Sequence, residues 1–323
     1  LGIMAANGEL KTRVGDEQKP DEGYRSRIDK RTERADIGYY SADLTDYGIK
    51  AEVTATTRCG FERFTFPADR GTGRILIELH PETEYGIQLK NVSVKRVGER
   101  RIEGSCHQFS PGVWSHDADQ DYVLHFVVEF DRPILRVGSW KDDVVANDIR
   151  ELSSGPCKYA GLFVEFDPVR NPVVQVRSGI SLVSVENAAQ NLAAEVTEPF
   201  GWDFEAVREA TRRAWNGELS KIRIETADPA VRRIFYTALY HTMIAPSLFC
   251  DVNGDYRGAD GAVRRDTTFT NYTTFSLWDT YRAAHPLLTL IHPEKVGDLI
   301  NTMLRIHEQQ GKLPVWHLMG CET

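Results

Sequence analysis

The sequence has no long uninterrupted apolar run. No stretch approaches the roughly 18 residues that a membrane-spanning helix needs, so none is predicted. The first four residues lack the basic region and the sustained apolar run of a signal peptide. The chain is therefore expected either to be cytoplasmic or to lack its natural beginning.

Cysteine is also scarce, and acidic residues outnumber basic ones. The five cysteines are scattered and odd in number, and none forms a Cys-x-x-Cys pair, which argues against a zinc site. The formal net charge is −8, and a nucleic-acid backbone would call for a basic face, so no nucleic-acid partner is expected. A neutral partner such as a sugar remains compatible with this charge, and no pattern indicates an oligomeric state.

From Tyr39 to about Val185 the sequence has short, partly alternating runs that are typical of β-strands. Gly and Pro residues separate the runs, and no long helical period interrupts them. The runs that predict strands are residues 49–57, 61–66, 74–79, 91–97, 122–130 and 179–183. Residues 9–36 are highly charged and are predicted to be irregular. The first part of the chain is therefore predicted to be an antiparallel β-sandwich.

The pattern changes at Ser184, which suits the N-cap of a helix. Apolar residues then recur at helical spacing, and Gly311 suits a C-terminal cap. The predicted helices are residues 186–195, 204–219, 229–242, 275–284 and 294–310, with a loop over residues 250–274. A β half followed by an all-α half predicts two domains with a helical linker.

Residues 271–282 hold the densest group of unusual side chains, with Trp278, Asp279 and Arg282 within one helical turn. A tryptophan ring offers an apolar platform for the C–H face of a pyranose. Asp279 and Arg282 offer an acceptor and a fork of donors for sugar hydroxyls. An Asp–Arg ion pair on an ordinary amphipathic helix is an equally good interpretation of the same spacing.

A second candidate is the stretch of residues 313–323, in which Glu322 follows a glycine and His317 and Trp316 precede it. Glycosidases need a carboxylic acid to protonate the leaving oxygen, with aromatic surface nearby. Without other support, a solvated surface glutamate is much the commoner interpretation.

The third candidate is the acidic stretch of residues 251–255, which resembles the start of a calcium-binding loop. An EF-hand needs Gly at its sixth position and Glu at its twelfth, where this sequence has Tyr256 and Ala262. A turn rich in Asp, Asn and Gly is the favoured interpretation, and the metal ligands stay unknown.

Several blocks together resemble glycoside hydrolase family 92. In the helical half these blocks are residues 235–242, 251–258, 276–282 and 313–323; in the β half they are residues 38–40, 46–58 and 181–192. The resemblance implies an antiparallel β-sandwich followed by linker helices and the start of an (α/α)6 catalytic barrel. It divides the chain into a sandwich over residues 1–185 that is incomplete at its start, a linker over 186–224 and a truncated barrel over 225–323.

The resemblance also implies an inverting, calcium-dependent exo-α-mannosidase that removes terminal non-reducing mannose from glycans. The family's Gly-x-Glu-Thr block matches residues 320–323, which makes Glu322 the expected general acid, although Cys321 stands where the family usually has Asn. Trp278, Asp279, Arg282 and His317 are the expected mannose-binding residues.

Family members are about twice as long as this chain. The catalytic base and most Ca²⁺ ligands are therefore expected after Thr323, and the fragment alone is expected to be inactive. The resemblance also implies a periplasmic or secreted protein. A non-catalytic carbohydrate-binding module and a different (α/α)6 glycosidase, such as a trehalase-like enzyme, are the alternatives.

Overall fold

The computed structural model describes residues 1–80, 86–112 and 119–322. The chain forms two compact units, of which the first is Leu1–Ser110 with Val123–Thr211. The second is Pro111–Tyr122 with Arg212–Thr323. The boundaries predicted after residues 185 and 224 stay a prediction. Within the described part of the chain, no helix is both long and apolar enough to cross a membrane.

The first unit is built on two antiparallel sheets, as predicted from the alternating runs. The strands are β1 (Gly2–Asn7), β2 (Arg34–Asp36), β3 (Tyr39–Leu44), β4 (Ile49–Ala55), β5 (Cys59–Thr65), β6 (Gly73–Glu78), β7 (Gln88–Val97), β8 (Arg101–Ser110), β9 (Gln120–Phe130), β10 (Arg136–Lys141), β11 (Val144–Ala146), β12 (Glu151–Ser154), β13 (Ala160–Phe166) and β14 (Val173–Ser181). One sheet has the order β1-β6-β13-β10-β11, and the other has β12-β7-β8-β9-β14-β5-β4-β3-β2. A single-turn 3-10 helix, Pro20–Glu22, lies in the segment predicted to be irregular.

The core of the sandwich is formed by the buried aliphatic and aromatic residues of both sheets, including Ile75, Phe130 and Val176. Strand β13 is buried at all seven positions. Its one charged residue, Glu165, accepts hydrogen bonds from Arg74 (2.8 Å) and Arg136 (2.6 Å), which satisfies the buried carboxylate.

Two glycines of the five-stranded sheet are each covered by an aromatic ring from the neighbouring strand. In the register of β10 and β13, Gly138 lies opposite Phe163, and Trp140 lies opposite Gly161. A Cβ atom on either glycine would collide with the facing ring. The two large rings therefore occupy the space above the two glycines that a side chain would otherwise fill, an arrangement that stabilises glycine in strands.

Helices cover one face of the nine-stranded sheet. They are α1 (Val185–Leu192), a π-helical turn (Ala193–Thr197), α2 (Glu198–Phe200) and α3 (Phe204–Leu219). The Ser184 hydroxyl caps α1 by accepting from the backbone N–H of Asn187 at 3.0 Å, as its position predicted. Leu192, Phe204 and Val207 are buried against Phe61 of the sheet.

The second unit contains the helices that follow α3 in the described part of the chain. They are α4 (Pro229–His241), α5 (Leu277–Thr280), α6 (Ala284–Ile291) and α7 (Pro293–Gln310). Six two- or three-residue strands form three antiparallel pairs: β15 (Ser247–Leu248) with β18 (Tyr272–Thr273), β16 (Asp255–Arg257) with β17 (Val263–Arg265), and β19 (His317–Leu318) with β20 (Cys321–Glu322). Gly311 ends α7 in the left-handed conformation, as predicted.

Two predictions for this unit are wrong. The segment 250–274 is not wholly loop, because it contains β16, β17 and β18. The predicted helix over residues 275–284 has only one turn, α5, and a new helix begins at Ala284. Pro286 explains the break. In the interior of a continuous helix, proline has no N–H to donate, and its ring would collide with the carbonyl of Arg282. Proline is tolerated in the first turn of a helix, which is where Pro286 lies in α6.

Candidate active site

Glu322 and His317 face each other in a small hairpin. They are register partners in the antiparallel pair of β19 and β20. The two connecting residues, Met319 and Gly320, have φ angles of +51° and +86°. Positive φ at both positions is the requirement of a type I′ turn, whose twist suits tight hairpins. Local backbone geometry therefore sets the two side chains side by side.

The carboxyl group of Glu322 is buried and held from one side. The residue is 7% exposed. Its Oε1 atom accepts hydrogen bonds from the backbone N–H groups of Val315 and Trp316, each at 2.8 Å. Its Oε2 atom is buried and has no partner among the described residues. A buried oxygen without a partner calls for an explanation, and a site for a ligand hydroxyl or leaving oxygen supplies one.

His317 is buried beside this carboxyl group. Its Nδ1 atom lies 3.3 Å from the hydroxyl of Thr273, and its Nε2 atom has no partner among the described residues. Burial, together with the positive charge of Arg257, lowers the pKa of His317 to about 4. The imidazole is therefore neutral at ordinary pH, with one ring nitrogen able to donate and the other able to accept.

Two tryptophans stack beside the hairpin. The rings of Trp278 and Trp316 are 6.0 Å apart between centroids and inclined by 30°. Backbone bonds from Leu277 N to Val315 O (2.8 Å) and from Phe275 N to His317 O (3.0 Å) hold the two segments together. The structure thus brings Trp278 and the Glu322 stretch, predicted as separate candidates, into one place. Trp278 is 58% exposed, which leaves its ring available as a platform.

Asp279 and Arg282 are exposed and do not pair with each other. The Oδ2 atom of Asp279 accepts from the Ser276 hydroxyl at 2.5 Å. The Nε atom of Arg282 donates to the Tyr281 hydroxyl at 2.9 Å. No ion pair joins the two among the described residues, so the interpretation as a helix salt bridge is not supported. Their predicted roles in mannose binding stay predictions.

The acidic stretch 251–255 forms a tight turn, which agrees with the favoured interpretation of a turn rich in Asp, Asn and Gly. Gly254, with φ of +84°, donates its N–H to Asp251 O at 3.0 Å. Both carboxylate oxygens of Asp255 accept from Arg265, at 2.6 and 2.9 Å. Within the ranges that the structure describes, no three His, Cys, Asp or Glu side chains are grouped to hold a metal ion.

Arg257, at the end of β16, is a neighbour of the site to which residue type and spacing assign no role, although it lies within the block 251–258. Its Nη1 atom donates to Met319 O at 3.3 Å, and its Nη2 atom donates to Asp121 O at 2.6 Å. Both acceptors are backbone carbonyls, which carry no signature in the amino-acid sequence.

Comparison with known proteins identifies the family. The N-terminal domain model of glycosyl hydrolase family 92 matches residues 1–181, and the catalytic domain model matches residues 187–323. The chain therefore belongs to glycosyl hydrolase family 92.

Solved structures of this family share the fold. A family GH92 alpha-mannosidase from Bacteroides thetaiotaomicron is 30% identical, with a TM-score of 0.88 over 99% of the chain and 42% of that protein. An inverting GH92 mannosidase from the same organism is 23% identical, with a TM-score of 0.82 over 97% of the chain and 39% of that protein, and shows the fold alone.

A curated relative from the fungus Arthroderma benhamiae is described as an uncharacterized secreted glycosidase. It is 24% identical over 264 residues, which cover 77% of the chain and 32% of the relative. The chain thus spans about two fifths of the solved structures and about a third of the fungal protein.

Proposed function

We propose that the complete protein is an exo-acting α-mannosidase that removes terminal non-reducing α-linked mannose from glycans, and that Glu322 is its general acid. Membership of the family supports the reaction class. The similar Bacteroides alpha-mannosidase, which has also been solved in complex with mannoimidazole, supports mannose as the sugar. The catalytic-domain match to residues 187–323 favours an enzyme over a carbohydrate-binding module.

The observation that carries the acid assignment is the unequal environment of the two Glu322 oxygens. Oε1 is held by two N–H donors, and Oε2 is buried without a described partner. In the neutral acid, Oε1 can remain the carbonyl acceptor while Oε2 carries the proton. The proton is then aimed at whatever enters the site beside Oε2, which in glycoside hydrolysis is the departing oxygen.

The neighbouring side chains suit a sugar. The exposed ring of Trp278 offers a platform for the C–H face of mannose, and the unpartnered Nε2 atom of neutral His317 offers one donor or one acceptor, depending on the tautomer, for a hydroxyl. Asp279 and Arg282 extend this set with an acceptor and several donors. We assign these four residues to binding of the terminal mannose.

Asp279→Ala is expected to lower kcat/KM of the full-length enzyme on mannobiose at least about tenfold, because a charge-assisted hydrogen bond to a sugar hydroxyl contributes about 1.5–3 kcal/mol. Steady-state kinetics would measure it. Glu308→Ala removes an exposed helix carboxylate that pairs with Arg305, and serves as the matched control. Wild-type efficiency in Asp279→Ala would remove Asp279 from the binding site.

We also propose inversion at the anomeric carbon and a requirement for calcium. An inverting enzyme places its base roughly 6.5–9.5 Å from the acid, on the opposite face of the sugar. We assign that base, and most ligands of the ion, to parts of the complete protein beyond these 323 residues.

Two measurements on the full-length protein check these two features. Proton NMR of the first product formed is expected to show β-mannose released from an α-mannoside. Removal of metal with a chelator is expected to abolish activity, and added Ca²⁺ is expected to restore it. Initial release of α-mannose would contradict inversion, and full activity after exhaustive chelation would contradict the calcium requirement.

We further propose that the complete protein acts in the periplasm or outside the cell. The support is the fungal relative, which is described as secreted. Fractionation of the native host, with an antibody against the protein, tests this location, and recovery only with cytoplasmic markers would contradict it.

A further inference from the structure

We propose that Arg257 is a positioning residue for Glu322, acting by holding the Met319–Gly320 turn rather than by touching the substrate. The proposal rests on the role of Glu322 given above. Arg257 lies at the end of β16, in the hairpin with β17, and does not belong to the stretch that carries Glu322.

The guanidinium group joins the turn to a second piece of backbone. It donates from Nη1 to Met319 O and from Nη2 to Asp121 O, at 3.3 and 2.6 Å. An arginine fork can make both bonds at once because its donors are fixed in one plane. A lysine has only one nitrogen and cannot reproduce this geometry.

Gly320 allows the guanidinium to lie close to the turn. A Cβ atom at this position would lie 2.9 Å from Nη1 of Arg257. The φ angle of +86° also disfavours any other residue there. Both the conformation and the space at Gly320 therefore fit an arginine packed on the backbone of the turn.

The charge of Arg257 acts on His317, the register partner of Glu322. Among the described residues, no carboxylate is within ion-pair distance of Arg257. The positive charge of Arg257 therefore acts on the His317 imidazole. The groups that face this imidazole are the Thr273 hydroxyl and, on the paired strand, Glu322 and its neighbour Cys321. Burial and this charge together keep the pKa of His317 low.

These contacts give Arg257 two separable effects. The bond to Met319 O fixes the turn. Because the turn is followed directly by the two-residue strand β20, fixing the turn also fixes Glu322, the last residue of that strand. A shift of this strand would move Oε2 away from the departing oxygen, and a misplacement of about 1 Å can cost about a hundredfold in rate. The positive charge separately opposes protonation of His317.

The test uses Arg257→Met and Arg257→Lys in the full-length enzyme. Arg257→Met is expected to lower kcat on mannobiose about tenfold with KM changed less than about twofold, because positioning in the transition state is lost while sugar contacts remain. It is also expected to raise the pKa of His317, measured by NMR of the imidazole. Arg257→Lys is expected to keep the low pKa of His317 yet recover only part of kcat.

Arg264→Met is the matched control, because it removes a guanidinium from the paired strand β17 where it binds Asp260 instead of the turn. Wild-type kcat in Arg257→Met, or a rise in KM alone, would overturn the proposal. If Arg257→Met does not fold, Gly320→Ala serves instead, because its methyl group would push against the Arg257 guanidinium. Gly320→Ala is expected to lower kcat, and an unchanged kcat in this variant would overturn the proposal.

A failure of the function itself gives a different result. If the wild-type enzyme cleaves no mannoside, the proposed function fails. The contact between Arg257 and the turn is then still judged by hydrogen exchange at residues 317–322, which Arg257→Met is expected to accelerate and Arg264→Met is not.

Discussion

Glu322→Gln is expected to lower cleavage of mannobiose by the full-length enzyme about 10²–10⁴-fold, the usual contribution of a positioned general acid. The sugar alkoxide is a poor leaving group unless it gains a proton as the bond breaks. Glutamine keeps the size of the side chain and an oxygen for the N–H groups of Val315 and Trp316, but it has no acidic proton to deliver.

A substrate with a highly acidic leaving group separates proton transfer from binding. Such a group departs without protonation, so Glu322→Gln should retain much more activity on an activated aryl mannoside than on mannobiose. Glu308→Gln, at an exposed position of α7, is the control. An equal loss on both substrates would show that Glu322 binds or supports the site without donating a proton.

Trp140→Ala is expected to lower the free energy of unfolding by about 3–5 kcal/mol, as for other large-to-small changes in protein cores. Trp140 is 1% exposed, and its ring covers the backbone of Gly161. Truncation of Trp140 leaves a cavity beside Gly161, and Gly161 has no side chain that could fill this cavity. Denaturant unfolding of the full-length protein, together with hydrogen exchange in β10 and β13, measures the loss and locates it.

Val144→Ala provides the control for this change. Val144 lies on the neighbouring strand β11 and is 70% exposed, so its truncation removes little buried surface. Equal effects of the two substitutions, or unchanged exchange in β10 and β13 of Trp140→Ala, would contradict the role given to the aromatic ring over glycine.

The order of a sandwich followed by helices could be predicted because the spacing at which apolar residues recur changes from two to about 3.6 residues near Ser184. The alternation of apolar and polar residues does not reveal the strands β8 and β13, for two different reasons. In β8 the inward positions include Gly104, Gln108 and Ser110, so burial alternates without alternating hydrophobicity. In β13 every position is buried, and a strand covered on both faces has no polar side to reveal its period.

The site was predictable in its parts but not in its assembly. Trp278 and Glu322 belong to stretches about forty residues apart, and backbone bonds at Phe275 and Leu277 bring those stretches together. No residue-type rule predicts such pairing. The alternative interpretation of Asp279 and Arg282 as an ion pair depended on a helix longer than the single turn that exists, because α5 ends at Thr280. Once the backbone turns away, the spacing of three positions no longer brings side chains together.

The grouping of residues 111–122 with the second unit has a consequence for protein dissection. Asp121 O is an acceptor for Arg257, and Asp119 O accepts from the Cys321 thiol at 3.5 Å. A gene truncated to start after residue 211 would encode the helices without these two carbonyls. Exchange of catalytic regions between relatives would meet the same difficulty. A functional graft therefore has to carry residues 111–122, which include the first residues of β9, along with the helical half, although some ninety residues of the first unit separate them in sequence.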